Sequence, residues 1–306
     1  MRKAVMDIGS NSVLLVVEEL QEGKWMQLFE SSEVTGLGEG TKKTGLLGEP
    51  GMERTLAALK RGFDKAASFG VTDVVAAATM AARIAHNTPE FLDRAQAQGT
   101  PVAVLSGERE AELGFRSVAD DPTFQQSTRL AIIDPGGQST EIVVADRGAK
   151  PGEWREIFRK SFPIGTLALR SGTLSDETPS PGARLAASKE IDDLVGAVPS
   201  DAAGGNAVAL GASATNLVTV RDAISPWDPA RVHGATLTYE DVGSEAGRLS
   251  DLDDAGRAAL VGLERGREKT IHIGALILER CMFALDVDRC RVTVRGWRHA
   301  LLESGK

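Results

Sequence analysis

The chain opens on two apolar runs separated by one short polar break. In "KAVMDIGSNSVLLVVEEL" (3–20), apolar residues run to Ile8 and resume at Val13. Short apolar runs rich in Val, Ile and Leu read as buried strands, and the break of small polar residues reads as a turn. The pattern returns in "RLAIIDPGGQSTEIVVAD" (129–146). Both copies read strand, D-x-G-x-x-S, strand, with Asp7, Gly9 and Ser12 matched by Asp134, Gly136 and Ser139. A third strand is expected in each, "KWMQLFESSEV" in the first and "EWREIFRKSFPIG" in the second, and helical periodicity follows both. The chain therefore reads as a duplicated β-β-β-α module. In the second copy Pro135 to Thr140 are expected to form the turn, where a plain hairpin needs about two residues.

Further along, the spacing predicts a helix over 51–70 capped by Gly70, a buried strand over 71–79, one or two helices over 80–99 and a short strand over 101–105. A helix over 106–119 begins at Ser106 as N-cap. "NAVALGASATNLVTV" reads as a strand Ala207–Leu210, a turn Gly211–Ala214 and a helix from Thr215, whose N-terminus is a ready anion site. Helices are expected at 184–197, 239–250 and 268–285, a strand at 289–296 and a last helix at 297–305. This alternation argues an α/β fold. The polar stretch 119–129 suggests a boundary, giving domains 1–122 and 123–296, with 297–306 packing back on the first. The Ser- and Pro-rich 174–183 reads as an insertion in the second.

Composition narrows the classes. The chain has 306 residues, 42% hydrophobic and 25% charged, with a formal net charge of −8. That length suits two domains, and the acidic balance argues against binding duplex nucleic acid. No apolar run approaches the ~20 residues of a membrane helix, and no secretory leader is visible, so a cytoplasmic protein is expected. Two cysteines, Cys281 and Cys290, suit reduced thiols, and the four histidines form no metal-binding pattern.

The chemistry lies in the two loops. Glycine lets backbone approach a ligand closely, successive N–H groups form an anion nest, and hydroxyls add donors. A carboxylate at the strand end opposes a phosphate unless a cation lies between, as with Mg²⁺ held by carboxylates and substrate phosphates.

Two such loops on paired modules resemble the actin, sugar kinase and Hsp70 superfold, two domains flanking an interdomain cleft. Within it, "DIGSNSVLLVV", "ATMAARIAHN", "SGEREAELGFRSV", "DPGGQSTEIVV", "SFPIG" and "ALGASATNLV", in this order, resemble the short two-domain form of the Ppx/GppA family. The resemblance implies hydrolysis of a terminal phosphoanhydride of inorganic polyphosphate or of guanosine pentaphosphate (pppGpp), with Mg²⁺ or Mn²⁺. By position, Glu110 matches the residue that activates water, and Asp134 the metal ligand at the second loop. Asp7 is its counterpart in the first loop, and Glu141 a further acidic site residue. Ser10, Asn11 and Ser12, with Gly136, Gly137, Gln138, Ser139 and Thr140, match phosphate-gripping positions. Gly211 belongs to the third such segment, and Arg83 matches a basic residue near the substrate. Members of that family often dimerise, and no feature of this sequence bears on it.

The resemblance is incomplete. Pro135 replaces an aliphatic residue, Gln138 a third glycine, Leu14 an arginine and His299 an acidic residue. The acid–base set is intact, while Pro135 removes a backbone N–H and Gln138 adds bulk. Two other readings therefore stand beside hydrolysis: a non-catalytic binder of polyphosphate or of guanosine tetra- or pentaphosphate, and a small-molecule kinase of the same superfold. "TKKTG" (41–45) and the helix bearing Arg54, Lys60, Arg61 and Lys65 are candidate basic surfaces for a polyanion.

Overall fold

A computed structural model describes residues 1–150 and 152–303. The chain falls into two compact units, one from Met1 to Gly114 that takes up the C-terminal segment from Trp297, the other Phe115–Gly296. The division runs through the helix Gly107–Ala119 rather than the 119–129 stretch. Leu113 packs with Val5, Val16 and Trp297, whereas the Phe115 ring meets Trp154 edge-on.

Each unit is built on one sheet. The first contains β1 (Arg2–Ile8), β2 (Ser12–Gln21), β3 (Lys24–Val34), β4 (Val74–Ala78) and β5 (Ala103–Val104), in the order β3-β2-β1-β4-β5. The second contains β6 (Arg129–Pro135), β7 (Thr140–Arg147), β8 (Trp154–Phe162), β9 (Asn206–Ala209), β10 (Thr236–Thr238) and β11 (Arg289–Val292). Its order, β10-β11-β9-β6-β7-β8, repeats the first with β10 added at one edge. The short β10, which the sequence does not announce, pairs antiparallel with β11.

The duplication extends to register. Ile8 pairs with Val13 in one hairpin and Pro135 with Thr140 in the other. Gly9 N–H donates to the Ser12 carbonyl at 2.9 Å, and Gly136 N–H to the Ser139 carbonyl at 2.8 Å. The β2–β3 ladder bulges after Val17 and the β7–β8 ladder after Val144, positions that coincide when Ser12 is laid on Ser139. The second turn is thus Gly136–Ser139, shorter than expected, because Pro135 and Thr140 are already paired strand residues. Pro135 accordingly takes no N–H from the turn itself. It sits past the β6–β9 ladder, whose last pair is Ile133 with Ala209, so no ladder bond to β9 is forfeited.

Burial follows the period of two. Ala4, Met6 and Ile8 of β1, with Val13, Leu15 and Val17 of β2, pack with Met52, Leu56 and Leu59 of the helix Glu49–Ser68. Val5 and Val16 point to the opposite face, which the C-terminal helix Trp297–Glu303 covers with Trp297, Ala300 and Leu302. The expected 297–305 helix is described to Glu303, its last two positions lying outside the described residues. In the second unit Ala131, Ile133, Ile142 and Val144 join Ile273, Ile277 and Leu278 of the helix Ile271–Ala284. Cys281 and Cys290 are free thiols in that core, pushed up to about 12 by burial. Among the described residues no helix is long and apolar enough to cross a membrane.

One group in this core couples stability to pH. His272 is 1% exposed, and neither ring nitrogen has a hydrogen-bond partner among the described residues. Burial, and then the charges of Arg257, Arg170 and Arg184, push it down from 6.5 to about 3. As pH falls through 6.5 the unfolded chain takes up a proton that the folded ring refuses, so stability drops with falling pH until about 3. Between pH 7 and pH 5 the loss from this group is about 2 kcal/mol. Guanidinium unfolding at the two pH values should show a smaller pH dependence in His272→Leu than in wild type. Equal dependence in both proteins would rule this origin out.

Candidate active site

Loop two is shaped by its neighbours before any ligand is considered. The register places Asp134 directly opposite Glu141, a juxtaposition of like charges that disfavours the pairing unless something offsets it. Glu141 is 6% exposed, and its Oε1 accepts hydrogen bonds from Ser139 Oγ at 2.8 Å and Ser161 Oγ at 2.6 Å. Ser161 is its cross-strand partner on β8. The Asp134 carboxylate lies over the start of the helix Gly211–Arg221, where a Cβ on Gly211 would meet Oδ1 at 2.8 Å. A helix N-terminus favours negative charge, so both carboxylates are held in charge-stabilising surroundings.

That helix begins at Gly211, four residues earlier than expected. Gly211–Ala214 form its first turn rather than a loop before it. Gly211 itself has φ +78°, a conformation that permits the sharp entry from β9. It packs against Asp134, and its backbone freedom makes the close approach possible.

The hydroxyls expected to grip phosphate are differently engaged. Thr140 is fully buried and donates to the Ile164 carbonyl at 2.7 Å, so it fastens the strand. Ser139 holds Glu141, as above. Gln138 is 2% exposed and packed into the turn, whereas Gly136 and Gly137 are partly open to solvent.

Loop one is equally well supported. Ser10, Asn11 and Ser12 are buried. The Asn11 carbonyl accepts from Thr35 and Gly36 N–H, and the Ser10 carbonyl from Gly38 N–H. The Asn11 side-chain amide nitrogen is buried with no protein partner among the described residues. Asp7 faces Leu14, so this hairpin has one carboxylate where the other has two. Burial pushes the Asp7 carboxyl up to about 6, opposed by the Arg298 charge and a hydrogen bond from the Trp297 side chain. The sequence gives no sign of this indole contact, which spans almost the whole chain.

Glu110 and Arg83 meet within the first unit. Arg83 Nη1 donates to Glu110 Oε2 at 2.7 Å and to the Leu105 carbonyl at 2.8 Å. The helix placing Glu110 starts as expected, with Ser106 Oγ accepting from Arg109 N–H. The basic helix offered as a polyanion track is instead self-neutralised: Lys60 pairs with Asp64, Arg61 with Glu33 and Arg54 with Glu39, while Lys65 lies over the Phe29 ring.

Among the described residues no group of three or more histidine, cysteine, aspartate or glutamate side chains is placed to hold a metal ion. The Asp134–Glu141 pair nonetheless fits magnesium, which takes one or two carboxylates and completes its shell with water and substrate phosphate. Ser161 and Gly165 received no role from the sequence, although "SFPIG" stood out as a motif. Their contacts depend on strand pairing and close backbone packing.

Comparison with known proteins agrees with this architecture. The profile of the Ppx/GppA phosphatase family matches residues 16–305. Exopolyphosphatase 2 of Mycobacterium tuberculosis is 26% identical over 292 residues, covering 91% of this chain and 89% of its own. Exopolyphosphatase 1 of Mycobacterium bovis is 28% identical over 309 residues, covering 99% and 87%. The crystal structure of the Aquifex aeolicus Ppx/GppA family member superposes with a TM-score of 0.78 at 29% identity, covering 99% of this chain and 97% of that one. An exopolyphosphatase structure from Cytophaga hutchinsonii shares the fold, with a TM-score of 0.87 at 20% identity and coverage of 99% and 97%. With its duplicated actin-like fold and its motifs in family order, the chain belongs to the Ppx/GppA phosphatase family.

Proposed function

We propose that the protein is a magnesium-dependent hydrolase that removes the terminal phosphate of inorganic polyphosphate. The observation that carries this reading is the opposed pair Asp134 and Glu141, held at a glycine-bearing turn by hydroxyls and a helix N-terminus. The names of the Mycobacterium relatives support the substrate class. The same terminal bond occurs in pppGpp, which stands as the second substrate. The two buried free thiols suit a reducing compartment such as the cytosol.

In this reading Asp134 and Glu141 would hold Mg²⁺, which would supply charge neutralisation at the phosphate oxygens. Glu110 accepts a proton from water as its oxygen bonds to the terminal phosphorus. The bridging P–O bond breaks, giving orthophosphate and a chain one unit shorter. Arg83 holds the Glu110 carboxylate in one orientation while anchored to the Leu105 carbonyl. An incoming phosphate competes for the guanidinium and leaves Glu110 more available as base. Positioning and charge stabilisation supply most of the acceleration in phosphoryl transfer, and the general base about 10²–10⁴-fold.

Phosphate release from long-chain polyphosphate and from pppGpp should require Mg²⁺ and stop on addition of EDTA, and the ratio of the two rates assigns the preferred substrate. Glu110→Gln keeps the side-chain shape and should lower kcat by about 10²–10⁴-fold with the melting temperature maintained. No metal-dependent release from either substrate by folded wild type would remove the hydrolase reading. Binding without turnover would then favour the sensor.

Gly211→Ala places a methyl against Asp134 Oδ1 and forces a side chain onto positive φ. It should cost about 1–3 kcal/mol and raise the Mg²⁺ concentration needed for half-maximal rate. An unchanged Mg²⁺ requirement would count against Asp134 as a ligand.

A further inference from the structure

The segment Ser161–Gly165 runs beside loop two, with Phe162 paired to Thr140 and the Ile164 carbonyl accepting the Thr140 hydroxyl. Phe162 and Ile164 are fully buried and anchor it. On either side of these anchors, Ser161 and Gly165 meet the site. We propose that this segment is a brace, with Ser161 and Gly165 as positioning residues that set Glu141 and the turn for a phosphate–metal ligand. The proposal rests on the hydrolase reading above for the identity of that ligand.

The backbone part of the brace is directional. The Gly136 carbonyl accepts from Thr166 N–H at 2.9 Å, and the Gly137 carbonyl from Leu167 and Ala168 N–H at 2.7 and 3.2 Å. In a planar trans peptide the N–H points opposite to the C=O. Fixing these two carbonyls toward residues 166–168 therefore turns the N–H groups of Gly137 and Gln138 the other way. Two successive N–H groups facing one side are the beginning of an anion nest, and the carbonyl oxygens that would repel an anion are held on the far side.

Gly165 makes that approach possible. A Cβ there would lie 2.5 Å from the Gly137 carbonyl carbon and oxygen and 2.6 Å from Gln138 N. Its φ of −156° is ordinary extended backbone, so the requirement for glycine is purely steric. The side-chain part is Ser161, whose hydroxyl joins that of Ser139 on one oxygen of Glu141. Two donors on one oxygen fix the carboxylate's rotation, as partners behind a metal ligand commonly do.

The first unit contains the same device. Gly38 N–H donates to the Ser10 carbonyl at 2.7 Å, and a Cβ on Gly38 would meet Ser10 Cβ at 2.8 Å. With Ser12 laid on Ser139, Ser10 falls on Gly137, and the two bonds occupy equivalent places. Quite different sequences, "TGLG" and "IGTL", thus preserve one backbone tie at each turn.

The test compares Ser161→Ala, Ser161→Thr, Gly165→Ala and a control, Gly247→Ala, whose added methyl meets nothing within 4 Å. Mn²⁺ binding to the metal-stripped protein is followed by electron paramagnetic resonance, and tripolyphosphate turnover is measured separately. Ser161 is exposed, so Ser161→Ala should melt as wild type does while binding Mn²⁺ about tenfold more weakly. Ser161→Thr should restore binding. Gly165→Ala should raise KM for tripolyphosphate at least tenfold, and Gly247→Ala should leave it unchanged. Mn²⁺ binding by Ser161→Ala equal to wild type would overturn the proposal, as would a wild-type KM in folded Gly165→Ala. If Gly165→Ala does not fold, the Ser161 pair decides. A wild-type protein that binds Mn²⁺ but turns over no polyphosphate would refute the hydrolase reading, and the Mn²⁺ comparison would still decide the brace.

Discussion

A four-residue turn closed by a glycine N–H on a serine carbonyl is the constraint from which the site is built. It fixes the register of β6 against β7, and register decides which side chains share a face. With Pro135 opposite Thr140, Asp134 must stand opposite Glu141 and Glu141 opposite Ser161. A slip of one residue would send Glu141 to the other face and bring Thr140 or Ile142 in its place. The core enforces the choice, because Ile133, Ile142 and Val144 must face inward together.

The same constraint operates twice with different results. The two hairpins share turn length, closing bond and downstream bulge, yet one presents a pair of carboxylates and the other an aspartate facing Leu14. That aspartate is also claimed by the Trp297 side chain and lies near Arg298. The scaffold is symmetric, and the chemistry placed on it is divided unequally. Loop one carries buried polar groups on a firmly tied backbone, while loop two carries the paired charges.

Much of this was legible from residues alone. The repeated D-x-G-x-x-S between apolar runs revealed the duplication, and the third strands followed from the same pattern. Local features also read correctly where their cause is local, as at Ser106, whose hydroxyl caps the helix of Glu110. What was hidden depends on strand pairing and on partners elsewhere in the fold. Whether Pro135 belongs to turn or strand is decided by Thr140 across the ladder. The helix at Gly211 starts early because glycine adopts a positive φ there beside Asp134. Thr140 looked like a phosphate donor until the Ile164 carbonyl was seen to take its hydroxyl. Ser161 and Gly165 act through β8 and the backbone beyond it, which no periodicity reports.

The burial of both cysteines has a practical side. A thiol pushed up to about 12 carries almost no thiolate at neutral pH, and the thiolate is the nucleophile. Cys281 and Cys290 are the chain's only cysteines, and neither is accessible. This chain is therefore its own blank for maleimide chemistry. A cysteine introduced at an exposed position such as Lys43 would give one addressable dye or spin-label site without first removing any native residue.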